Sequence, residues 1–218
     1  MPHSPKIKIL VFPGSNREKD MADAFERITG TRPELVWHKQ TDLGNPDLIV
    51  LPGGFAHGDY LRCGAMAALS PVMAPVKELA ARGTPIFGVC NGFQTLIEAK
   101  LLPGALLRNA SLKFVCKHVT LTYEANDNNL YPLTNGDMIR VPVAHGDGNY
   151  FIDPDGLEHL KDNDQIAFRY VDNPNGSIDD IAGITNVNKT ILGMMPHPED
   201  STDPIHETQD GTALFKGI

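Results

Sequence analysis

Thr84-Pro85-Ile86-Phe87-Gly88-Val89-Cys90-Asn91-Gly92-Phe93-Gln94-Thr95-Leu96-Ile97-Glu98-Ala99 decides the fold of this chain. The apolar run from Thr84 to Val89 reads as a buried strand, and Phe93 to Ala99 reads as a helix. Between them stands Gly88-Val89-Cys90-Asn91-Gly92, the Gly-x-nucleophile-x-Gly pattern of a nucleophile elbow with Cys in place of Ser. A nucleophile on so tight a turn would crowd its neighbours, and glycines two positions to either side remove the offending Cβ atoms. The helix that follows aims the positive end of its dipole at the sulfur.

Working outward, the first half alternates strands with helices. Ile7 to Phe12 reads as a buried strand ended by Pro13-Gly14-Ser15-Asn16. Ser15 or Asn16 is placed to cap a helix running to about Ile28, with Met21, Ala24, Phe25 and Ile28 on one face. Glu34 to Trp37 and Asp47 to Leu51 read as strands, the second stopped by Pro52-Gly53-Gly54. Ser70-Pro71 opens a helix to about Ala81, ended at Gly83, with Pro75 expected to kink it. Such βαβ units imply a parallel sheet. In the second half, Leu112 to Glu124 alternates as an exposed edge strand would. Asn126-Asp127-Asn128-Asn129 and Asn173-Pro174-Asn175-Gly176 read as turns. Ile139 to Ala144, Gln165 to Val171, Ile181 to Thr185 and Thr190 to Met195 read as strands, added antiparallel to the sheet. The expectation is an α/β fold over one domain, residues 1–218, with a mostly parallel central sheet flanked by helices and an added antiparallel portion.

The 218 residues are 41% hydrophobic and 21% charged, ordinary values for a globular protein with a sizeable core. A net charge of −8 without clustered Lys and Arg argues against a nucleic-acid partner. Three cysteines without a CxxC spacing argue against a disulfide framework, and a reducing cytoplasm fits. No apolar run reaches membrane-spanning length and no secretory signal is visible, so no membrane partner is expected. Neither GxGxxG nor GxxxxGK[ST] occurs, so no nucleotide site is expected on this chain.

A cysteine nucleophile needs a base, and the base an orienting group. Thr190 to Met195 runs into Pro196-His197-Pro198-Glu199. The prolines favour an extended segment in which His197 and Glu199 point to the same side, so the carboxylate can hold the imidazole in one tautomer. The order Cys, His, Glu differs from that of the α/β-hydrolases and argues against an esterase. Free cysteines are most often small core residues, and Cys63 and Cys116 are read that way. Pro52-Gly53-Gly54-Phe55 is a Gly-rich turn that can present a backbone N–H to an oxyanion, with the N–H of Asn91 as its partner. His145-Gly146-Asp147-Gly148 reads as a loop closing over a substrate. A metal site pairing His145 with His159 lacks ligand spacing, and no metal is expected.

Gly-Val-Cys-Asn-Gly-Phe-Gln with a downstream His-Pro-Glu resembles the class I, triad-type glutamine amidotransferases. Phe12 to Asn16, Trp37-His38-Lys39, Pro52 to Phe55, Gly58-Asp59-Tyr60-Leu61-Arg62, Arg108 to Phe114 and Met194 to Glu199 narrow the resemblance. They are similar to the stand-alone glutaminase subunits that serve one purine-biosynthetic synthase. The resemblance runs from about Lys6 to the C-terminus and implies a flavodoxin-like sheet. It implies that Cys90, His197 and Glu199 form a triad hydrolysing glutamine to glutamate and ammonia, with Gly54 and Asn91 as the oxyanion hole. Gln94 would help hold the glutamine, and the Gly146-Asp147 backbone its amino-acid end. Ammonia would pass to a separate synthase subunit, which carries ATP and Mg and makes phosphoribosylformylglycinamidine; a third small subunit is expected beside it. This chain would hold no cofactor. Asp200 stands where such subunits often have Arg, and His57 where they often have Tyr. Two alternatives remain: a glutaminase subunit of another amidotransferase complex, and a non-catalytic module that keeps the elbow as scaffold.

Overall fold

The computed structural model describes residues 4–124 and 132–216. The expected Asn126-to-Asn129 turn lies outside them. The elements run β1 (Ile7–Val11), α1 (Glu18–Thr29), β2 (Glu34–Trp37), β3 (Leu48–Leu51), a turn of 3-10 type (Ala56–Asp59), α2 (Ala65–Ala68), α3 (Met73–Ala81), β4 (Ile86–Val89) and α4 (Asn91–Glu98). There follow β5 (Ala105–Leu107), β6 (Val115–Tyr123), β7 (Met138–His145), β8 (Asn149–Phe151), α5 (Pro154–Asp162), β9 (Ile166–Tyr170), β10 (Ile181–Thr185) and β11 (Ile191–Met194). Short 3-10 turns cover Ile178–Asp180, Pro198–Ser201 and Asp210–Phe215.

Nine strands form one sheet in the order β2-β1-β3-β4-β11-β10-β9-β6-β7, and β5 pairs with β8 in a separate ribbon. β2, β1, β3, β4 and β11 are mutually parallel, and β10, β9, β6 and β7 continue antiparallel. The sheet is therefore parallel on one side with an antiparallel portion added, as expected. The parallel strands are buried along their whole length in β3, β4 and β11, which is why they read as unbroken apolar runs. Alternate residues of β4 face opposite layers. Phe87 meets Phe215, which packs edge-on against Phe25 of α1, while Gly88 lies under Leu96 of α4.

Several expectations are corrected. β11 belongs to the parallel portion, beside β4, rather than to the antiparallel addition. β6 starts at Val115 and is an interior strand between β9 and β7; the edge is β7, whose inward face buries Ile139, Val141 and Val143. α1 starts at Glu18 with no side-chain cap, because Ser15 Oγ instead accepts from Phe12 N–H at 3.1 Å and closes the turn after β1. Pro75 is the third residue of α3, where no intrahelical donor is needed, so it opens the helix without a kink. Cys116 is exposed and Cys63 half-buried, so neither is a core residue. Among the described residues no helix is long and apolar enough to cross a membrane.

Candidate active site

Parallel pairing of β4 with β11 is what assembles the site. Gly88 pairs with Gly193 and Val89 with Met194, and Cys90 N–H donates to Met194 carbonyl at 2.8 Å. Two chain segments about a hundred residues apart thus end side by side at the carboxyl edge of the sheet, where α/β proteins place their ligands. Cys90 follows β4 and His197 follows β11.

Cys90 is forced to φ 52° and ψ −107°, a strained conformation for a side-chain-bearing residue. Gly88 and Gly92 make the turn possible by close approach. A Cβ at Gly92 would lie 1.9 Å from the Leu51 carbonyl oxygen, and one at Gly88 would lie 2.4 Å from Leu96 Cδ1. The Cys90 sulfur lies 3.9 Å from the Ala144 carbonyl oxygen.

His197 Nδ1 and Glu199 Oε1 are 2.7 Å apart, and both residues are buried. The segment is not extended throughout: Pro198–Ser201 forms a 3-10 turn, and Glu199 reaches the imidazole from within it. His197 N–H donates to the Pro142 carbonyl at 2.8 Å, which ties the turn to β7. Gly53 supplies room, since a Cβ there would lie 2.8 Å from His197 Cε1. Burial alone would depress the His197 imidazole, but the Glu199 carboxylate and the Cys90 sulfur overturn this and hold it well above its ordinary value.

A cavity of about 150 Å³ is lined by Gly54, Cys90 and His197, together with Arg17, Phe114 and Asp200. A larger cleft, about 530 Å³, opens at the other end of β1 beside Lys6, Lys8 and Glu34 and holds none of the expected site residues. Gly54, at φ 138°, bridges to Ser15, so the Pro13-to-Asn16 turn buttresses the Gly53-Gly54 loop. Asn91 does more than carry a backbone N–H. Its Oδ1 accepts from Ala56 N–H at 3.0 Å, and its Nδ2 donates to Gln94 Oε1 at 2.8 Å and Asp59 Oδ1 at 3.2 Å. The elbow is thereby bolted to the loop that follows β3.

Gln94, Gly146 and Asp147 stand outside the walls of that cavity. Gln94 Nε2 donates to the Asp147 carbonyl at 2.7 Å, and the Gly146 carbonyl accepts from Asn109 N–H at 2.9 Å. Cys63 Sγ–H donates to Asp147 Oδ2 at 3.5 Å; burial and the carboxylates of Asp59 and Asp147 push its thiol up. His159 lies on α5 against Asn163, bonded at 3.3 Å from its Nδ1. His197, Glu199 and Asp200 bring ligating atoms within 4.8 Å of one another.

Arg17 was not anticipated at the site, and His145, expected in a loop over the substrate, is the buried last residue of β7. His145 Nδ1 donates to Asn109 Oδ1 at 3.1 Å, and a Cβ at Gly148 would collide with its ring. Burial, with His197 nearby, depresses its pKa from 6.5 to about 4. Between these values the unfolded chain binds a proton that the folded chain refuses, so stability falls as pH drops from 6.5 towards 4. At 2.5 pH units the shift corresponds to about 3 kcal/mol. Urea titrations of the parent and His145→Gln at pH 6.5 and 4.5 check this: the parent loses more stability over the interval, and equal losses refute the assignment. Arg17 had no sequence signal, because its partner Asp200 is 183 residues away.

Residues 4–212 match the CobB/CobQ-like glutamine amidotransferase domain. The chain is 52% identical over 217 residues to phosphoribosylformylglycinamidine synthase subunit PurQ of Chelativorans sp. (strain BNC1), covering 98% of this chain and 97% of that protein. It is 53% identical over 218 residues to the PurQ subunit of Brucella suis biovar 1 (strain 1330), covering 97% of each. Among solved structures it resembles a chain of PurLQS from Thermotoga maritima, with TM-score 0.90, 41% identity, and coverage of 99% of this chain and 98% of that one. A glutamine amidotransferase from Thermotoga maritima, at 16% identity and TM-score 0.58, covers 92% of this chain and 78% of that one and shares the fold.

Proposed function

The chain belongs to the CobB/CobQ-like glutamine amidotransferase family, and from that premise we propose that Cys90, His197 and Glu199 are its catalytic triad. It is a glutaminase subunit of phosphoribosylformylglycinamidine synthase, supplying ammonia for purine biosynthesis. The observation that carries the triad is that His197 lines one cavity with Cys90 while its other ring nitrogen meets the buried Glu199 carboxylate.

The Cys90 sulfur attacks the side-chain amide carbon of glutamine as His197 takes the thiol proton. The N–H groups of Gly54 and Asn91 donate to the developing oxyanion. His197 returns its proton to the leaving nitrogen, ammonia departs, and a γ-glutamyl thioester stays on Cys90. His197 then draws a proton from water, which attacks the thioester and releases glutamate. Glu199 orients the imidazole in both halves. Gln94 and the Gly146-Asp147 backbone hold the amino-acid end of glutamine, with the Gln94–Asp147 contact opening to admit it. A single amidotransferase domain spans 1–218, and the enzyme works in the cytoplasm.

The partner is a separate synthase subunit that holds ATP and Mg, with a third small subunit beside it. Phe55 and Phe114 line the cavity yet are exposed, and Tyr60, Leu61 and Leu112 are exposed on the same two loops. This apolar rim is the surface we assign to the synthase. Co-purification with the synthase followed by glutamine-dependent amidine formation tests the function. Leu61→Asp is expected to weaken the association by about tenfold or more. Recovery of an anthranilate or guanylate synthase instead overturns the assignment.

A further inference from the structure

The triad chemistry leaves Arg17 unused, although it lines the same cavity as Cys90 and His197. Arg17 stands at the N-terminal cap of α1, where its Nη2 donates to Asp200 and its Nη1 lies 3.3 Å from Asp20 Oδ2. Its Nε lies 3.9 Å from Glu199 Oε1. That Nε–H and Glu199 Oε2 are both buried without a hydrogen-bond partner. A buried carboxylate with one oxygen spent on histidine and the other unbonded is costly unless a positive charge stands close. Asp200 crowds it further, and burial and Glu199 raise the Asp200 carboxyl above its ordinary value. The positive charge that balances this pair of carboxylates is the Arg17 guanidinium.

We infer that Arg17 is a positioning residue for the glutaminase reaction: held beside Asp200, it keeps Glu199 turned to His197, and its positive charge opposes protonation of the Cys90–His197 pair. This rests on the triad proposed above. Among the described residues, the charged and titratable groups around the pair are Arg17 at the cap of α1, Asp20 from α1, His145 from β7, Tyr170 from β9, and Glu199 and Asp200 from the turn after β11.

Removing a cation raises the proton affinity of the site, whichever member of the pair carries the proton, and removing an anion lowers it. The acidic limb of kcat/KM for glutamine reports that affinity. The chain co-purified with its synthase is assayed for glutamate release across pH as parent, Arg17→Met, Arg17→Lys and Asp200→Asn. Arg17→Met is expected to lose about tenfold in kcat and to move the acidic limb up by about one pH unit. Arg17→Lys returns the limb towards its parent position. Asp200→Asn moves it down, because the anion beside the pair is gone. A side chain with a purely structural role would lower the amount of active enzyme and leave both limbs in place. Unmoved limbs, or limbs moving the same way in Arg17→Met and Asp200→Asn, overturn the inference. Should Arg17→Met fail to fold, Arg17→Lys and Asp200→Asn carry the test, with an unmoved limb in Asp200→Asn as the refuting result. Labelling of Cys90 by a glutamine-analogue electrophile keeps the two levels apart. If Cys90 labels and the limbs stay put, the role of Arg17 fails alone; if Cys90 does not label, the triad itself fails.

Discussion

Replacing Cys90 with serine is expected to abolish glutamine hydrolysis, a loss of at least about a thousandfold in kcat, while folding and association with the synthase persist. Serine is nearly isosteric and can occupy the same strained turn between Gly88 and Gly92. What it lacks is sulfur's nucleophilicity, and no other cysteine can substitute. Cys63 is half-buried, its thiol pushed up by burial and by two carboxylates, and Cys116 is exposed on β6. Glutamate release measures the loss directly. Mass spectrometry of the protein treated with a glutamine-analogue electrophile gives the complementary result: one adduct, on Cys90, in the parent and none in Cys90→Ser. Full activity in the variant would remove the nucleophile assignment.

Gly92→Ala is expected to be the most damaging single methyl group at the elbow. Its Cβ would fall 1.9 Å from the Leu51 carbonyl oxygen, which is backbone at the end of a fully buried strand. That atom cannot swing aside as a flexible side chain would, so either α4 lifts from the sheet or β3 shifts. Overpacking of this kind costs roughly 3 kcal/mol or more. For a chain of this size, thermal unfolding should then come about 10 °C lower, provided any soluble protein is obtained. Gly146→Ala is the control, because a Cβ there meets only Phe114, at 3.9 Å, and should shift the midpoint little. Equal midpoints for the two variants would show that the elbow tolerates what its geometry forbids.

The elbow was legible because its determinants are local: a strand, a turn needing two small residues, and a helix lie within sixteen consecutive positions. His197 and Glu199 were legible because they are two residues apart and each follows a proline. The direction of β11 was not, since a short apolar strand reads the same whether its neighbour runs parallel or antiparallel; pairing with β4, a hundred residues upstream, decides it. Arg17 was hidden for the same reason. The helix α5 was readable and went unread: Asp153 caps it by accepting from Gly156 N–H at 2.7 Å, with Pro154 at its first position. Ser15 misled because a hydroxyl near a helix start can serve either the helix or the preceding turn, and here the turn took it.

The place of β11 has a consequence for how the molecule comes into being. The strand that joins the two halves of the sheet is the last of the eleven described strands to be synthesised. Until residues 191–194 leave the ribosome, β4 and β10 lack their common neighbour, and the long-range pairing that joins the two halves is expected to form late in folding. The imidazole arrives three residues after that strand. On the triad proposed above, a chain cut off before residue 197 carries the sulfur without its proposed base, and such a truncation is expected to release no glutamate.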